Sequence, residues 1–204
     1  MSSSKNTVDV TGLSFVDLLF ALAVSEYLTV IDNRTLSAVD WWHVGVGGTL
    51  TIGSWIGFHN SRFRTTTRIE FFNRALFATL IDIALVVIYW LLPSKWIGGT
   101  NGIPRTPDAV GVAVLVGLAF LLYSAWDALS RRPSDARRHK TRRAVTYAFT
   151  AASIAIAAGV MLWSPTAPCK VIGVDVALIC LLLGYRWTKD AVRARTAQAS
   201  SNPD

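Results

Sequence analysis

Residues 109–129 read AVGVAVLVGLAFLLYSAWDAL, a run of Ala, Val, Leu and Gly long enough, at 1.5 Å rise per residue, to cross a ~30 Å hydrocarbon layer as a helix. Working outward, five more blocks of the same kind follow the chain in both directions: Ser14–Ile31, Val39–Phe58, Phe71–Leu92, Ala144–Trp163 and Val171–Trp187. Apolar residues make up 52% of the 204 positions and charged residues only 16%, with a mean hydropathy of +0.40. Collected into blocks in this way, they predict an all-α polytopic membrane protein with six transmembrane helices. On this reading residues 1–13 are a cytoplasmic N-terminus, residues 14–187 the six-helix transmembrane domain, and residues 188–204 a disordered cytoplasmic tail. The helices leave no room for a soluble catalytic domain.

The first block carries Asp17 and Glu26 and lacks the basic start and cleavage site of a signal peptide, so it is expected to be retained as a working helix. Cys169 and Cys180 form neither a disulfide framework nor a metal-binding spacing. Of the 20 Lys and Arg residues behind the net charge of +7, only Arg34, Lys95, Arg105 and Lys170 fall outside when the N-terminus is placed in the cytoplasm. The other sixteen fall inside, as the positive-inside rule requires, so both termini are expected to be cytoplasmic. The densest basic run, Arg131–Arg143, reads as a loop against acidic headgroups. It has no interleaved aromatic residues for stacking, so no nucleic-acid partner is expected. Trp and Tyr near the block ends, among them Trp41, Tyr89, Trp126, Trp163 and Tyr185, read as a headgroup-level belt. Gly53 and Gly57 read as a small-xxx-small pair for close helix approach.

Ionisable groups within the bilayer are costly and therefore functional candidates. At 100° per residue, Leu18, Leu22, Ser25, Glu26 and Thr29 fall within an arc of ~100° on the first helix, with Asp17 about 140° away from Leu22. A face combining leucines, two hydroxyls and a carboxylate suits a hydrated path with an apolar constriction. The alternative is that Glu26 hydrogen-bonds between helices. Asp17, His59 and Asn73 fall at one depth on three consecutive helices and read as a structural polar network. Asp82 and Asp175 carry no assigned role.

The stretch Phe15-Val16-Asp17-Leu18-Leu19-Phe20-Ala21-Leu22-Ala23-Val24-Ser25 resembles the first-helix signature of the transmembrane protein 175 family of potassium channels. Trp55, His59 and Phe63 are similar in spacing to the family's second-helix pattern, and Asn73 matches an Asn opening its third helix. Thr11 and Val16 depart from the pattern. The Phe-x-Asp-Leu-x-Phe run is also similar to the low-temperature-requirement A membrane proteins. Resemblance to the bacterial six-helix type of channel implies a homotetramer in a bacterial plasma membrane that passes a monovalent cation, potassium by family, and needs no cofactor or bound metal. It implies a pore lined by the first helix, with Leu22 as constriction and Ser25 as the selecting hydroxyl. Asp17, Trp55, His59 and Asn73 would have a packing role. Competing expectations are a proton-coupled transporter using Glu26, Asp82 and Asp175, and a non-conducting scaffold or stress component acting through the basic loop. No motif for nucleophilic or metal-dependent catalysis is present, so an enzyme is not expected.

Overall fold

The computed structural model describes residues 10–62, 74–96, 108–129 and 136–201, which form six α-helices. These are α1 (Val10–Asn33), α2 (Ala38–Arg62), α3 (Arg74–Trp96), α4 (Ala109–Leu129), α5 (Ala136–Trp163) and α6 (Pro168–Ser201). Local chemistry sets several of their ends. Ser37 and Asp40 form a reciprocal capping box: Asp40 N–H donates to Ser37 Oγ, and Asp40 Oδ2 accepts from Ser37 N–H at 2.8 Å. Asp108 caps α4 by accepting from Gly111 N–H at 2.9 Å. Helix α5 stops at Ser164, whose φ of 42° is left-handed and whose N–H donates back to the Val160 carbonyl at 2.8 Å. Pro168 then occupies the start of α6, where its missing N–H removes no helical bond.

Four helices contain a segment long and apolar enough to cross a membrane: Leu76–Ser94, Ala109–Leu129, Lys140–Trp163 and Pro168–Arg195. They mark the chain as an integral membrane protein. Helices α1 and α2, of 24 and 25 residues, match them in length; α1 carries Asp17, Glu26 and Asp32, and α2 carries Asp40, His43 and His59. Helix α3 turns Phe77, Leu80, Ile83, Val87 and Trp90 outward, an apolar face suited to lipid.

Two boundaries differ most from the sequence reading. Helix α5 begins at Ala136, so the second half of the basic run is helical. Arg143 there donates to the carbonyl of Asp127 (3.1 Å) and, more weakly, to that of Ala128 (3.4 Å), filling acceptors that the end of α4 leaves open. Helix α6 runs to Ser201, through the residues expected to form a disordered tail, because Ala, Arg and Gln in that stretch are good helix formers.

The helices close a ring in the order α1, α2, α6, α5, α4, α3, with α2 also touching α3 and α4 also touching α6. The α4–α5 seam uses small and hydroxylated residues. Ser124 and Thr150 hydroxyls meet at 2.7 Å, Thr150 Oγ1 lies 3.1 Å from the Phe120 carbonyl, and a Cβ on Gly117 would rest 3.9 Å from Ala157. The starts of α1, α3 and α5 share one end of the bundle with the ends of α2, α4 and α6, as the pairing of Asp17 with His59 and of Asp127 with Arg143 requires. This end carries most of the basic residues and is called the basic end below.

Candidate functional site

Helix α1 is fixed to its neighbours by Phe20, Ala23, Tyr27 and Val30, all buried, with the Phe20 ring 5.8 Å from Tyr89 and 6.4 Å from Phe58. Among the described residues no helix covers the opposite side of α1. Leu18 is 57% exposed and Leu22 56%, Ser25 and Thr29 are exposed, and Glu26 is half-buried at the edge of the stripe. The Thr29 hydroxyl donates to the Ser25 carbonyl at 2.9 Å, which satisfies it within its own helix. The five residues selected by helical spacing therefore share one side of α1, and that side lies on the surface of the described helices.

At the basic end Asp17 points away from this stripe, toward α2. Its Oδ1 accepts from Trp55 Nε1 at 3.1 Å and lies 2.8 Å from His59 Nε2. The Trp55 ring packs edge-on against His59 with centroids 4.6 Å apart. Asn73, the fourth residue of the expected network, lies outside the described residues.

No family model, curated protein or solved structure matches this chain.

Two constellations escaped the sequence reading. The first joins α2 to α6 at the end opposite the basic one. His43 and Asp175 are both fully buried, with Nδ1 and Oδ2 2.8 Å apart. The approach lies outside hydrogen-bonding angles, and neither imidazole nitrogen nor either carboxylate oxygen has a hydrogen-bond partner among the described residues. Asp175 alone drew attention in the sequence. The signal for its partner was a His five residues past the start of α2, facing an Asp seven past the start of the parallel α6.

The second is a cavity of ≈ 80 Å³ at the basic end, to which all six helices contribute. Its polar wall includes Asp82, one of the unassigned carboxylates, and Asp127. Asp127 Oδ2 accepts from Lys189 Nζ at 3.0 Å and from the Thr146 hydroxyl, so α4, α5 and α6 meet at one buried carboxylate. Lys189 Nζ also sits 4.9 Å from the centre of the Tyr185 ring. Arg186 lies along α2: a Cβ added at Gly57 would fall 2.7 Å from its guanidinium carbon, and one at Gly53 3.3 Å from its Nε. The glycine pair thus makes room for a guanidinium, rather than for the close backbone contact that the spacing implied. Tyr89 and Tyr185 are buried and Trp126 lines the cavity, so these three are interior residues and not part of a belt. The exposed Trp41, Trp42 and Trp163 fit the belt reading.

Proposed function

We propose that the chain is a six-span subunit of a cation channel of the potassium type, assembling as a homotetramer around a pore lined by α1, with both termini in the cytoplasm. The observation that carries this reading is the uncovered stripe Leu18, Leu22, Ser25 and Thr29, with Glu26 at its edge. A side bearing hydroxyls and a carboxylate is poorly suited to lipid tails, and four symmetry-related copies would turn it toward water. Leu22 would then form a constriction that closes by dewetting, while Ser25, Glu26 and Thr29 offer oxygens to a passing cation. Similarity of the first three helices to the transmembrane protein 175 channels points the same way, as does the link from Asp17 to Trp55 and His59, which fixes the orientation of α1 on α2. The lengths of α1 and α2 allow each to cross the bilayer, and the basic residues favour the cytoplasm as the basic end. Planar-bilayer recording of the full chain tests the proposal. Leu22→Asn is expected to raise potassium conductance severalfold by wetting the constriction, and a membrane that stays ion-tight with either protein refutes it.

A proton-coupled transporter is the second reading, favoured by two intramembrane acidic groups in polar surroundings: Asp175 beside His43, and Asp82 on the cavity wall. Flux that saturates with substrate and follows a pH gradient would select it over the channel.

A further inference from the structure

The cavity at the basic end is charged in a way that its own residues do not balance. Four cations line it, Arg142, Arg186, Lys189 and Arg193, against two carboxylates, Asp82 and Asp127. Asp127 is taken by Lys189, and Arg193 lies 3.5 Å from Asp190, which leaves Arg142 and Arg186. Neither Arg142 nor Arg186 has a carboxylate within ion-pair distance among the described residues, and the buried Nε of Arg142 has no hydrogen-bond partner there. Two guanidinium groups left without a counter-charge inside a helix bundle are costly unless an anion joins them.

We propose that this cavity is a binding site for a phosphate-bearing anion, held between Arg142 and Arg186. Guanidinium forks match phosphate oxygens with paired N–H donors, which a lysine does not do. The site adds neutral donors. The hydroxyls of Ser54, Tyr123 and Tyr89 form a chain, Ser54 to Tyr123 and Tyr123 to Tyr89 at 3.1 Å, and all three residues line the cavity. Gly57 preserves the seat of Arg186, since any larger side chain would displace its guanidinium. A cavity of ≈ 80 Å³ has room for a phosphate group. Basic pockets between membrane helices take this chemistry from a phospholipid headgroup or from free phosphate.

The test uses the full chain in two arms. In phosphatidylcholine nanodiscs, inorganic phosphate is titrated while the thermal midpoint is followed; in neutral detergent, binding of phosphatidic acid is measured by native mass spectrometry against phosphatidylcholine. Saturable binding in either arm is expected, with Arg186→Gln and Arg142→Gln each raising the half-saturating concentration at least tenfold. Saturation with inorganic phosphate identifies the free ion as sufficient, and saturation with phosphatidic acid alone identifies the headgroup. The proposal is overturned if neither probe saturates or if the folded variants bind like the wild type. Should Arg186→Gln fail to fold, Arg142→Gln decides. None of these readouts depends on conduction.

Discussion

Two histidine–aspartate pairs in this protein have the same 2.8 Å separation and opposite surroundings. His43 and Asp175 are fully buried, whereas the side chains of His59 and Asp17 are 20% and 41% exposed. The exposed pair can exchange its partner for water, and Asp17 already shares its oxygen with Trp55. The buried pair has no such substitute. What a polar contact is worth to the fold is therefore set less by its length than by what replaces it when it is lost.

The largest effect should follow from His43→Ala, which leaves Asp175 alone in the interior and opens a cavity. A loss of about 3–5 kcal/mol in unfolding free energy is expected from denaturant titration in detergent. A loss below about 1 kcal/mol would mean that water reaches the pair, and the contrast between the two sites would disappear. The double replacement of His43 and Asp175 by Leu sharpens the point, because removing both partners should restore most of the lost stability. The smallest effect belongs to His59→Ala, at about 1 kcal/mol or less.

The same contrast explains how much could be read in advance. Helix positions follow from composition, since a stretch such as 109–129 has few alternatives to a membrane-length helix, and α4 occupies that range. The side of α1 that stays uncovered was legible because residues at i, i+3, i+4 and i+7 share a face. The cavity was not legible. Its charges come from α3, the ends of α4 and α6 and the start of α5, and whether Arg186 faces headgroups or the bundle depends on the rotation of α6, which hydropathy leaves open. Counted only as an inside charge, Arg186 gave no hint that Gly53 and Gly57 accommodate it. His43 was hidden for a similar reason: one imidazole within an apolar block gains meaning only when the depth of Asp175 on a distant helix is set beside it.

Whether ions pass along α1 can be tested at a single atom. In a background with both exposed cysteines replaced, Cys169→Ser and Cys180→Ser, Leu22→Cys is treated with a charged methanethiosulfonate while potassium current is recorded. Leu162→Cys, on a side chain 91% exposed on α5, serves as the lipid-side control. A pore lined by α1 predicts that modification at Leu22 reduces the current severalfold and modification at Leu162 leaves it unchanged. Current indifferent to a mass-verified adduct at Leu22, or no potassium current from the folded protein, would contradict it.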